Sequence, residues 1–187
     1  MSLLFIFPIA VIGLLAYSVV LKKRPLSGNV LISLYCAGVA LIVWIAAEPS
    51  IMKLPAPILA QVTHLFTYYA VFAFFSTLFR EVVKDLEDAP GDAAAGARTV
   101  PIAWGVTNAK RLASMTAIIL LLYLFYFFYT MFGQMPLIGN FALAILIIMI
   151  IIAIGLLLLA KDIRAYHRLS QLAKVIMLAG ILLLLIF

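Results

Sequence analysis

The chain has 187 residues, of which 67% are hydrophobic and only 11% charged, with a net charge of +6. A water-soluble globule is excluded, because a domain of this length could not cover so much apolar side chain with so few polar groups. The basic excess does not point to nucleic acid: the basic residues sit beside apolar runs, where they orient helices in a bilayer.

Six apolar runs follow one another, at roughly 3–21, 29–47, 56–79, 111–132, 139–160 and 169–187. Each approaches the ~20 residues needed to cross a ~30 Å hydrocarbon core. Backbone groups facing lipid must be hydrogen-bonded within their own segment, which makes these runs helices. The ten-residue alternation of a membrane barrel is absent. The expectation is an all-α, polytopic transmembrane bundle of six spans, forming a single domain over residues 1–187.

The first run carries no basic residue and is followed at once by Lys22, Lys23 and Arg24. That polarity is the reverse of a signal peptide. The second run holds the only cysteine, Cys36, read as an inert thiol with no disulfide partner. It ends in the outer loop "EPSIMKLPAP" (48–57), which contains Glu48 and Lys53. In the third run, Gln61, His64, Thr67 and Tyr68 are polar at membrane depth. They either line a cavity or hydrogen-bond between helices, and the second reading is favoured.

The longest polar segment runs from about 80 to 110, where Pro90-Gly91 and Gly96 are expected to break the helix. Thr107 or Asn108 is the expected N-cap of the fourth span. Tyr123, Tyr126 and Tyr129 read as packing and interfacial residues. A second outer loop, "GQMPLIG" (133–139), precedes the fifth run, and the basic loop "KDIRAYHR" (161–168) precedes the sixth. If six helices alternate, twelve of the thirteen Lys and Arg residues fall on one side and only Lys53 on the other. The positive-inside rule then makes those loops cytoplasmic and puts both chain ends outside, in a bacterial or archaeal cell membrane.

Five of the seven acidic residues lie in "REVVKDLEDAPGD" (80–92). On an ideal helix Glu81, Asp85, Asp88 and Asp92 fall within a sector of about 60°, while Glu87 points elsewhere. Carboxylates gathered this way repel one another unless a cation neutralises them, and such oxygen ligands suit Mg²⁺. Arg80, Lys84, Arg98, Lys110, Arg111 and the 22–24 cluster could hold the remaining anionic oxygens of a diphosphate. The alternative is a solvated loop whose charges balance.

"REVVKDLEDAPGDAAAGARTVPIAWG" resembles the second aspartate-rich motif and following loop of UbiA-type intramembrane prenyltransferases. "YSVVLKKRPLSGN" (17–29) resembles that family's tyrosine/lysine segment, and the flavour RExxKDxEDxxGD looks closest to the branch of digeranylgeranylglyceryl phosphate synthase-like enzymes. The resemblance implies a nine-helix bundle around a cavity open to lipid, in which Mg²⁺ and an isoprenyl diphosphate are held by two aspartate-rich motifs. Prenyl transfer to an aromatic or glycerol-phosphate lipid acceptor would follow. By match to the motif, Asp85, Asp88 and Asp92 would be the catalytic, metal- and diphosphate-binding residues. Lys22 and Lys23, with Lys84 and Arg98, would contact the diphosphate, and Tyr17 would line the site. Tyr17 and Lys22 stand five apart, where some members have four.

The family's first motif, of the form NDxxDxxxD, is absent, and no Asp or Glu precedes Glu48. The chain is therefore expected to match the last six of nine helices and to lack transferase activity by itself. The competing class is a non-enzymatic membrane protein, a small transporter or assembly partner with a cation-binding loop. A CDP-alcohol phosphotransferase is disfavoured, because "GAR" (96–98) follows the aspartates instead of preceding them.

Overall fold

Each of the six apolar runs lies on a helix of the computed structural model, which describes residues 3–19, 21, 24–133 and 135–186. The helices are α1 (Leu3–Val19), α2 (Ser27–Ile51), α3 (Ala56–Ala94), the short α4 (Val100–Trp104), α5 (Val106–Met131), α6 (Leu137–Leu159) and α7 (Ile163–Leu183). A 3₁₀ turn, Leu184–Ile186, extends α7. No strand occurs among the described residues.

α3 is the hub. It packs on α2 along one side and on α5 and α7 along the other, while α6 closes the ring between α5 and α7. α1 touches the bundle through α2. The core lies within the ring of α3, α5, α6 and α7. On α5 the buried stripe is Ala109, Ala113, Ala117, Leu120, Leu124 and Phe127, spaced at three- and four-residue intervals. Its alanines let neighbouring backbones approach closely, which matters where lipid is as apolar as the core. The opposite faces, with Leu122 and Tyr129 on α5 and Ile145 and Ile148 on α6, are exposed as a lipid-facing surface would be.

Four helices, α2, α3, α5 and α6, are long and apolar enough to cross a membrane among the described residues. α7 carries Arg164, His167 and Arg168 in its first turns and Lys174 near its middle, and α1 has only 17 residues. α7 therefore falls short in apolarity and α1 in length of what would mark a span by composition alone.

Three local expectations are corrected. α2 continues through Pro49 to Ile51, so Glu48 belongs to its last turns and not to a loop. α3 runs unbroken through Pro90-Gly91, so Asp92 is helical. A proline here removes only its own N–H donor, and the helix resumes, with Ala95 N donating to Gly91 O at 3.0 Å. The stop comes at Gly96, with φ of 69°. Gly96 N donates to Ala93 O at 3.1 Å and Ala97 N to Asp92 O at 2.9 Å, the Schellman pattern that a left-handed glycine permits. The third correction concerns the start of α5. Gly105, with φ of 85°, is its N-cap, and neither Thr107 nor Asn108 caps it. The positive φ lets α4 turn straight into α5, and Asn108 Nδ2 instead donates back to Trp104 O at 2.8 Å.

Two polar ties fix the ends on the acidic side. Lys110 Nζ donates to Leu158 O at 3.1 Å and Ala160 O at 2.9 Å, satisfying carbonyls left over at the end of α6. Asp162 caps α7 by accepting from Ala165 N at 2.7 Å. On the other side of the bundle, Tyr68 OH and Thr130 Oγ1 lie 3.3 Å apart across α3 and α5, the interhelical bonding expected of Tyr68. Tyr126 and Tyr129 face outward as expected, 57% and 82% exposed, whereas Tyr123 stacks on Tyr68 with ring centroids 5.4 Å apart.

The α3–α7 contact depends on one glycine. A Cβ on Gly180 would sit inside the van der Waals shell of the Phe72 ring, which is itself buried. Gly180→Ala should therefore lower stability by about 1–3 kcal/mol through overpacking, measured as a shift in the denaturation midpoint in detergent. Phe72→Leu in the same chain should recover part of it.

Candidate functional site

At ~1.5 Å per residue, the 39 residues of α3 span about 58 Å, nearly twice a hydrocarbon core of ~30 Å. The sequence turns polar after Phe79, so Arg80–Ala94 projects beyond the apolar segment. Val82, Val83 and Leu86 keep one face of this projection in the core. The acidic residues are left on the other faces.

Three helices meet at Asp85. Asn29, in the first turn of α2, donates from Nδ2 to Asp85 Oδ2 at 2.8 Å. The preceding residue, Gly28, is packed so closely that a Cβ there would lie 2.9 Å from Leu21 O and 3.2 Å from Tyr17 Cε2. Tyr17 on α1 thereby rests on the start of α2, and its phenol lies within Coulombic reach of Glu81, Asp85 and Arg80. Burial pushes the Asp85 carboxyl up to about 6; the Asn29 hydrogen bond opposes this, and Glu81, Asp92 and Asp88 add to it.

Glu81, Glu87 and Asp88 are engaged with basic side chains. Lys84 Nζ lies 2.8 Å from Asp88 Oδ1 and 3.4 Å from Glu87 Oε1, and the hydrogen bond to Asp88 raises the lysine's pKa. Glu81 pairs with Arg80. Glu87 reaches across to α7, where His167 Nδ1 sits 2.7 Å from its Oε1. The Asp92 side chain is half-buried and has no hydrogen bond or ion pair among the described residues.

Of the residues singled out in the sequence, the fold brings Tyr17, Asp85, Asp88, Asp92 and Lys84 to the projecting end of α3 and its surroundings. Arg98 is exposed, without a hydrogen bond or ion pair among the described residues. Lys22 and Lys23 lie outside the described residues. Asn29 was missed, although an amide in the first turn of an otherwise apolar helix is itself a signal. His167 stood only as part of the basic stretch "KDIRAYHR", with no hint of its contact to Glu87.

Oxygen donors of this kind suit a hard divalent cation. Among the described residues, however, no three His, Cys, Asp or Glu side chains are close enough to hold one together. Gathering Asp85, Asp88 and Asp92 on a cation requires Asp88 to exchange Lys84 for the ion. On the membrane side of the site, an apolar cleft of about 380 Å³ lies between α2 and α3, lined by Val39, Ala40, Val43, Leu65, Phe66 and Tyr69 with Leu184.

Apolar helices long enough to cross a bilayer, with a charged cluster on the projecting end of one of them, define an integral membrane protein. Residues 1–186 match the UbiA prenyltransferase family, and the chain belongs to that family. It is 40% identical over 104 residues to the digeranylgeranylglyceryl phosphate synthase of Methanopyrus kandleri, covering 56% of this chain and 34% of that protein. The Methanothrix thermoacetophila synthase is 34% identical over 109 residues, 58% of this chain and 36% of the relative. With the Sulfurisphaera tokodaii synthase the match is 29% over 181 residues, 94% of this chain and 61% of the relative. The chain thus spans between about a third and three-fifths of the length of these relatives. No solved structure matches it.

The Glu87–His167 tie makes a pH-dependent contribution to the α3–α7 contact. Burial alone would raise the Glu87 carboxyl, but His167, Lys84 and Ser170 outweigh it and hold the carboxyl below its usual value of 4.5. A depressed folded-state pKa means the contribution is present above the ordinary glutamate range and is lost as pH falls through the folded value. Denaturation midpoints measured from neutral pH down through this range should fall more steeply for the parent than for Glu87→Gln.

Proposed function

We propose that this chain carries the acidic site at which a Mg²⁺-dependent membrane prenyltransferase holds an isoprenyl diphosphate and transfers its prenyl group to a lipid-soluble acceptor. The observation that carries this reading is the convergence of Tyr17, Asn29 and Asp85 from three helices on the face of α3 that also holds Asp88 and Asp92. Membership of the UbiA family supports it.

In this reading Asp85, Asp88 and Asp92 would hold Mg²⁺, and the ion, when bound, would supply positive charge to neutralise the leaving diphosphate. Lys84, freed from Asp88, turns to the non-bridging phosphate oxygens, and Lys22, Lys23 and Arg98 complete the basic surround. The allylic C–O bond breaks with its electron pair going to the diphosphate. The acceptor oxygen, or an aromatic carbon, then attacks the resulting allylic cation and loses a proton. The ring of Tyr17 lines the reacting end, where an aromatic face stabilises positive charge. The prenyl tail lies in the apolar cleft between α2 and α3, which begins ten residues beyond Asn29 on α2, about 15 Å along the helix.

Relatives named for making digeranylgeranylglyceryl phosphate favour a geranylgeranyl donor and a glyceryl-phosphate lipid acceptor over an aromatic one. The concentration of basic residues near the acidic site supports a cytoplasmic position for it.

A second reading, a cation-binding membrane protein without catalysis, draws on the pairing of Lys84 with Asp88 and Glu87. Binding and transfer separate the two. Purified chain in lipid nanodiscs should bind Mn²⁺, which shares the preference of Mg²⁺ for oxygen ligands, more tightly in the presence of inorganic diphosphate. Asp85→Asn and Asp88→Asn should each weaken that binding by at least about tenfold. Mn²⁺ binding unaffected by both substitutions would sink the proposed site. Diphosphate-insensitive binding, without transfer from labelled geranylgeranyl diphosphate in full-length family members carrying the same site, favours the second reading.

A further inference from the structure

We infer that Asn29 is a positioning residue for Asp85, orienting its carboxylate toward a divalent cation without cancelling its charge; this rests on the metal–diphosphate reading above. Among the described residues, Asp85 is the one carboxylate of the acidic stretch that is held by a neutral side chain and by no basic one. Glu81 pairs with Arg80, Asp88 with Lys84, and Glu87 with both Lys84 and His167. A basic partner neutralises a carboxylate and competes with an incoming cation. An amide N–H fixes the orientation and leaves the negative charge in place. With Oδ2 tied to Asn29 at 2.8 Å, Oδ1 is the oxygen left for a metal.

The pedestal under Asn29 is rigid. Gly28 sits against Leu21 O and the Tyr17 ring, with no room for a Cβ. One turn on, the fully buried Ser33 donates its hydroxyl to Asn29 O at 2.7 Å. Asn29 and Asp85 are 56 residues apart, so the bond exists only because α2 and α3 pack together. A partner that orients a metal ligand is commonly worth a factor of about 10–100 in metal affinity.

The purified chain in nanodiscs is titrated with Mn²⁺ by electron paramagnetic resonance, with and without inorganic diphosphate. Four forms are compared: parent, Asn29→Ala, Asp85→Asn and the double variant. Asn29→Ala is expected to weaken Mn²⁺ binding by about 10–100-fold. In the Asp85→Asn background the same change should cost nothing further, because a residue acting through Asp85 has nothing left to position. A merely structural role would instead lower affinity in both backgrounds. If Asn29→Ala does not fold, Asn29→Leu replaces it: a similar size without the donor and without a new charge, and the same expected loss. Parent-like binding by Asn29→Ala beside a weakened Asp85→Asn overturns the positioning role and leaves the metal site standing, as does an additive loss in the double variant. Parent-like binding by Asp85→Asn overturns the metal site, and the positioning role with it.

Discussion

Val82, Val83 and Leu86 bury one face of α3 at the height where its other faces carry Glu81, Asp85, Asp88 and Asp92. This anchoring is the constraint on which the rest depends. A free helix end with four carboxylates in one sector would fray or twist to separate them. Held against α5 and α7, it keeps its pitch through Pro90 and stops only where Gly96 supplies a left-handed turn. The charge is concentrated because the apolar side of the same helix has nowhere else to go.

Around that rod the polar ties are arranged by sign. On the side toward α7, Glu87 is compensated by His167 and Lys84, a contact that stabilises the bundle. On the side toward α2, the side chain bonded to Asp85 among the described residues is an amide, which leaves its charge in place, while burial raises its pKa. Two carboxylates two residues apart on one helix therefore have opposite electrostatic surroundings. One is suited to holding helices together and the other to receiving a cation. The short α4 and the Gly105 turn carry the chain from the end of α3 directly into α5, so the polar connection stays compact beside the site.

Much of this was legible in the amino-acid order. The six apolar runs, the helical class, the acidic stretch and its resemblance to a prenyltransferase motif are all local properties, written in hydrophobicity and spacing. Glu81, Asp85 and Asp88 share a face simply because helical pitch is fixed, and Asp92 joins them only because α3 continues past Pro90-Gly91. The helix-breaking reading of Pro90-Gly91 failed for a tertiary reason: packing of the projecting turns outweighs one missing N–H donor. The capping role assigned to Thr107 or Asn108 failed because Gly105 already turns the chain at that point.

Composition and periodicity determined that this protein is a helical membrane bundle with one acidic site, because lipid admits few backbone solutions and charge tolerates few places within them. Which carboxylate would be neutralised and which left charged was decided by the fold alone. Asn29 meets Asp85, and His167 meets Glu87, across 56 and 80 residues of sequence. Such pairings depend on which helix faces turn toward one another, and that is settled by the collective packing of the bundle and not by any local pattern.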